Sequence, residues 1–237
     1  MLLINPIDPT IKCLRRTTRN IARRTGAGVV WVFPNDYSRK ACRSKIANCS
    51  KNELIVFLGH GRSDALFGSK GKWYAHLGQV SAAAIAAAPD RYYLDDNLID
   101  ESCLYLFRDK KCVLFSCNSD EFGVKMVQAG CRAVLGFRRL PSSIDELKDD
   151  WYLNMADRQM AAAISGILNV AFRNALVNGV RNGHTFAELE GDLRFEINSQ
   201  VGRLMKTRAC FKAAISDVLI EMARDIQAIG DRGCRLI

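Results

Sequence analysis

The 237-residue sequence predicts an α/β fold with a mostly parallel central sheet, flanked by helices, and a helical C-terminal part. Three observations lead there. Short apolar runs alternate with amphipathic stretches over the first two-thirds of the chain, as in a sheet joined by helical crossovers. The strand candidates are apolar without alternation, so both of their faces are covered. From Pro141 onward the apolar spacing is helical only.

"LLIN" (Leu2 to Asn5) is a short strand closed by Pro6 and Pro9. "TIKCLRRTTRNIARRTG" places Ile11, Leu14, Thr18, Ile21 and Ala22 on one face and arginines on the other. That is an amphipathic helix, with Thr10 as expected N-cap and Gly26 as stop. "GVVWVF" (Gly28 to Phe33) is the second strand, stopped by Pro34 and Asn35, and "YSRKACRSKIAN" a second short helix. "LIVFL" (Leu54 to Leu58), "CVLFS" (Cys112 to Ser116) and "RAVLGF" (Arg132 to Phe137) are the third to fifth strands. A short helix with Phe122, Met126 and Val127, closed by Gly130, lies between the last two.

Within 66–109, "QVSAAAIAAAP" reads as helix, "KGKWYAHLG" as loop or hairpin, and "DDNLIDESCLYLF" as helix capped by Asp95 or Asp96. Further on, Ile164, Ile167, Leu168, Ala171, Phe172, Ala175 and Leu176 keep helical spacing. "HTFAELEGDLRF" opens with a capping box, Thr185 and Glu188. Phe211, Ile215, Val218, Met222 and Ile226 predict a final helix ending at Gly230. Residues 1–140 are the expected α/β core, and residues 141–237 the helical part packed on it or within the same domain.

Bulk properties narrow the function. No window approaches the ~18–20 apolar residues of a membrane span, and "MLLINPIDPT" does not read as a signal peptide. A cytoplasmic protein without a membrane role is expected. The nine cysteines include no C-x-x-C pair, so most read as buried packing thiols. The net charge of +9 is concentrated: residues 1–50 hold ten Lys/Arg against Asp8 and Asp36. Such a patch attracts nucleic acid or acidic protein, but no aromatics are interleaved for base stacking, so a solvated helix face is the simpler account.

Chemistry concentrates at two strand ends, "ELIVFLGHGRSD" (Glu53 to Asp64) and "KKCVLFSCNSDEFG" (Lys110 to Gly123). In an open parallel sheet, working side chains stand just past the carboxyl ends of the strands. His60 and Cys117 occupy those places. An imidazole beside a thiol can take its proton and leave a nucleophilic thiolate. Gly61 lets a substrate carbonyl approach the backbone, where its N–H and that of Cys117 would hold an oxyanion. Other motifs fail on their letters. "GHGRSD" has Asp64 where a dinucleotide fingerprint needs glycine, and "GSKGKW" is no P-loop. Gly123 stands where a cysteine phosphatase needs Arg, and no G-x-S-x-G exists. His60, His76 and His184 lack metal-ligand spacing, and the last two read as structural or surface.

An apolar strand ending in His-Gly, followed by one ending in Ser-Cys, resembles the caspase-like cysteine peptidases, which include caspases, metacaspases, legumain, gingipains and separase. "FLGHGRSDALFG", "VLFSCNS" and "AGCRAVLGF" are most similar to the prokaryotic CHAT group. The resemblance covers Leu2 to Phe137. It implies a caspase-like sandwich and a thiol protease, a hydrolase with His60 as general base and acid and Cys117 as nucleophile. It further implies an oxyanion hole from the Gly61 and Cys117 N–H groups, no cofactor and no metal. A protein substrate, an activating partner or larger complex, and a role in bacterial stress or antiviral defence belong to the same expectation. Many relatives have a small residue shortly after the cysteine, whereas this chain has Asp120 and Glu121 three and four places after it. Those two either cap the following helix or receive a basic substrate side chain. Arg138 and Arg139 either bind an acidic substrate residue or are solvated, and Asp64 is near enough in sequence to orient His60. The alternatives are a catalytically inactive scaffold on the same fold, and nucleic-acid binding through the basic N-terminal helix.

Overall fold

The computed structural model describes residues 1–8, 11–68, 97–141, 147 and 158–237. In chain order the elements are β1 (Leu2–Pro6), α1 (Lys12–Thr25), β2 (Gly28–Val32), α2 (Asp36–Ala47), β3 (Leu54–Leu58), β4 (Ala65–Phe67) and β5 (Asn97–Asp100). A 3-10 helix (Glu101–Phe107) leads to β6 (Lys111–Phe115), α3 (Ser119–Gln128) and β7 (Ala133–Phe137). The chain closes with α4 (Arg158–Asn182), α5 (Phe186–Met205), α6 (Lys212–Arg224) and β8 (Ile226–Gly230). The main sheet has the order β2-β1-β3-β6-β7-β8, parallel throughout except for β8, which runs antiparallel to β7. β4 and β5 form a separate antiparallel pair.

The continuous apolar strands are explained by two cores. Successive strand side chains point to opposite faces. Leu54, Val56 and Leu58 of β3 face one core with Leu14 and Ile21 of α1 and with α4, α5 and α6. Ile55 and Phe57 face the other, with Cys42 and Ile46 of α2 and Phe122 and Met126 of α3. Both faces are thus sealed by helices, and every residue of β3, β6 and β7 is buried. Helices from the C-terminal stretch share the first core with the sheet.

Local signals act as the sequence predicts at several ends. Gly26 takes the left-handed conformation (φ 70°) and donates to the Ala22 carbonyl, closing α1. Thr185 and Glu188 form the capping box of α5. Thr10 lies outside the described residues, and the N-cap of α1 is Ile11, which makes no side-chain cap bond. "QVSAAAIAAAP" and "KGKWYAHLG" also lie outside them.

Three expectations are corrected. The predicted final helix ends at Arg224, and Ile226–Gly230 is a strand. Its helical spacing is overridden because β7 would otherwise present an unpaired edge; Ile226 to Gly230 pair with Phe137 to Ala133 there. The C-terminal part is therefore not helical throughout. The run "NLIDESCLYLF" is not one α-helix: Asn97–Asp100 pairs with β4, and Asp100 caps only the 3-10 helix by accepting the Ser102 N–H. Finally, α4 is long and apolar enough to cross a membrane by length and composition. Ile164, Leu168, Phe172 and Leu176 of this helix are buried in the protein's own core.

Candidate active site

β3 and β6 are neighbours in the sheet, with Leu58 paired to Phe115. The ladder runs one step further, the Gly59 N–H donating to the Phe115 carbonyl at 3.2 Å. One residue beyond Gly59 stands His60, and two beyond Phe115 stands Cys117, so both rise from the same sheet edge. Both line a single cleft of about 480 Å³. Its walls are Ile11 and Leu14 of α1, Leu168 and Asn169 of α4, and the Leu140–Pro141 segment.

The β3 end is shaped by close packing. A side chain on Gly59 would meet the Phe57 ring at 2.7 Å and Pro6 Cδ at 3.2 Å. Asn5 Nδ2 donates to the Leu58 carbonyl at 2.7 Å, satisfying that buried group where the strand ends. Beyond His60 the chain is clamped onto β4: Phe67 N–H donates to the His60 carbonyl at 2.9 Å, and Arg62 N–H to the Ala65 carbonyl at 2.8 Å. Gly61 thus opposes Leu66 as a non-hydrogen-bonded pair, which turns its N–H away from β4. That N–H has no hydrogen-bond partner among the described residues.

On the β6 side the chain turns sharply into α3 through Asn118, whose left-handed backbone (φ 50°) asparagine tolerates better than most residues. Ser119 holds this turn. Its hydroxyl reaches the Ser116 carbonyl at 2.7 Å and the Leu114 carbonyl at 2.9 Å, and accepts the Phe137 N–H at 2.9 Å. Gly136 lets α3 approach the sheet, since a Cβ there would stand 2.6 Å from both Asp120 N and the Ser119 carbonyl. The sequence reading missed Ser119 and Gly136 as positioning residues; nothing in their local pattern separates them from ordinary helix-start and strand residues. Cys117 is half-buried, and its thiol donates to the Leu140 carbonyl at 3.1 Å.

Phe115, Phe137 and Phe172 cluster beneath the site. Phe115 lies 5.3 Å edge-on from Phe137 and 4.3 Å from Phe172. This cluster fixes α4 against the ends of β6 and β7, so that α4 walls the cleft.

Asp120, Glu121 and Arg138 are not among the residues lining this cleft. Asp120 and Glu121 occupy the first turn of α3, where negative charge favours the helix N-terminus. The buried Asp120 carboxylate lies 3.4 Å from the exposed Arg138 guanidinium. Arg139 meets Asp225 at 3.0 Å and Glu221 at 3.7 Å. Asp64 takes Arg62 in two bonds, at 2.8 and 3.0 Å. His184 meets Asp192 at 2.7 Å; His76 lies outside the described residues.

Burial sorts the cysteines. It pushes the Cys42 thiol up to about 12. Burial and a contact with Cys131 hold Cys112 far above the usual thiol range. Burial, with help from Glu53, raises Cys49 as well. Among the described residues no group of three or more His, Cys, Asp or Glu converges for a metal ion.

Comparison with protein-family models, curated proteins and solved structures found no match.

Proposed function

We propose that this protein is a cysteine endopeptidase of the caspase-like kind, acting on a protein substrate through His60 and Cys117. The observation that carries the reading is the shared cleft at the carboxyl ends of β3 and β6, which both residues line. The layered α/β architecture and the order of the two motifs agree with it.

His60 takes the proton from Cys117 Sγ, which must first leave the Leu140 carbonyl. The thiolate attacks a peptide carbonyl carbon, and the resulting oxyanion is held by the Gly61 and Cys117 N–H groups. The intermediate collapses as His60 returns the proton to the departing amine, leaving a thioester. Water, deprotonated by His60, then releases the acid and restores the thiol. No cofactor or metal takes part. An activating partner and a part in bacterial stress or defence follow from the same resemblance. Digestion of a peptide library should give cleavages that vanish with Cys117→Ala and with His60→Ala while the fold survives. Unchanged cleavage by the Cys117→Ala protein rejects the proposal.

The thiol's bond to Leu140 supports a second reading, a catalytically silent scaffold on the same fold. Iodoacetamide distinguishes the two. A competent dyad alkylates at Cys117 well ahead of the exposed Cys13 and Cys210, whereas a silent one shows no such preference.

A further inference from the structure

Beside the cleft lies a second concavity, about 1060 Å³, between α1 and α4. Lys12 and Arg16 of α1 and Arg173 of α4 line it, and among the described residues none of the lining is acidic. None of the three cations has an ion pair among the described residues. Arg173 reaches only the neutral amide oxygen of Asn174, at 3.1 and 3.3 Å. Cys13 and Asn169 line both concavities, so the groove adjoins the cleft that holds His60 and Cys117.

We infer that this groove binds acidic segments of polypeptide and delivers them to the cleft, so that the substrates are proteins with Asp or Glu near the cut bond. The substrate part of this inference rests on the peptidase reading. Lys12, Arg16 and Asn20 follow one another at helical spacing along the groove. At about 1.5 Å per residue they span about 12 Å, the reach of about four extended residues. Acidic side chains within about five residues of the cut, on one side of it, therefore meet the cations.

Polypeptide fits better than nucleic acid because, among the described residues, no aromatic side chain lines the groove for base stacking.

The test uses full-length Cys117→Ala protein and fluorescein-labelled hexaglutamate, hexaglutamine and hexathymidylate. Hexaglutamate should bind, weaken on raising salt from about 0.05 to about 0.3 M, and lose at least tenfold in affinity with Lys12→Gln/Arg16→Gln/Arg173→Gln. The same change at the exposed Arg203, Lys206 and Arg208 should have little effect. Equal binding of hexaglutamate and hexaglutamine overturns the inference. So does full affinity in the triple variant, or tighter binding of hexathymidylate through the same three residues. A library digest by the native protein should show acidic residues enriched beside the cuts, an enrichment the triple variant loses; unbiased cuts that depend on Cys117 reject the groove and leave the peptidase reading standing. Hexaglutamate binding through the three cations without Cys117-dependent cleavage keeps the groove and rejects the peptidase.

Discussion

Replacing Gly61 with alanine would put a methyl carbon 2.9 Å from the Ser116 hydroxyl, 3.2 Å from Ser116 Cβ and 3.3 Å from the Ala65 carbonyl. Comfortable contacts begin near ~3.5 Å, so something must move by about half an ångström. The unpartnered Ser116 hydroxyl can rotate aside, but Ser116 Cβ and the Ala65 carbonyl cannot. The Ser116 carbonyl is held by Ser119, and the Ala65 carbonyl by the Arg62 N–H. The strain therefore falls on the segment carrying His60, and overpacking of this kind costs about 1–3 kcal/mol. Urea denaturation measures the cost, and the rate of iodoacetamide modification at Cys117 measures the damage to the site. Ser116→Gly removes the two nearest obstacles. The double variant Gly61→Ala/Ser116→Gly should regain at least ~1 kcal/mol over the sum of the single effects. The reasoning fails if Gly61→Ala costs under ~0.5 kcal/mol with the labelling rate unchanged, or if the two effects simply add.

Ser116→Ala and Ser119→Ala should differ although the residues are three apart. The Ser116 hydroxyl is buried without a partner, so its loss is neutral or stabilising, whereas Ser119→Ala strands the buried Phe137 N–H and costs about 1–3 kcal/mol. Phe115→Ala should cost about 3–5 kcal/mol in urea unfolding, through the lost contacts to Phe137 and Phe172; a cost under ~1 kcal/mol refutes the role given to the cluster. The fold favours the protonated Cys42 thiol, which ionises near about 12. Its contribution is complete below the unfolded thiol's pKa of about 8.5 and falls by about 1.4 kcal/mol per pH unit as pH rises toward the folded value. Stability measured by urea between about pH 9 and 11 should therefore decline less steeply in Cys42→Ala. An equal slope in both proteins refutes this source of alkaline sensitivity.

Much of the candidate site was legible in the letters. A histidine between glycines after one apolar run, and a cysteine after another, need only parallel neighbouring strands to line one cleft. Their supports were not legible. Ser119 is an unremarked serine until β6, β7 and the start of α3 converge on its hydroxyl. Arg138 reads equally well as a solvated or a substrate-binding group until Asp120 is found 3.4 Å away.

The sequence by itself determined the elements whose signals lie within a few residues. Examples are the buried strands from Leu54 and Lys111, the left-handed stop at Gly26, and the capping box at Thr185. These depend on periodicity and local hydrogen bonding, which act along the chain. Only the tertiary structure decided that Ile226–Gly230 is a strand, because the hydrogen bonds that make it one are offered by β7, far away in sequence. It also decided that α1 and α4 enclose a basic groove beside the cleft, since Lys12 and Arg173 share no local pattern. Distant groups compete for the same backbone and the same space, and that competition is settled only when the sheet and its helices close together.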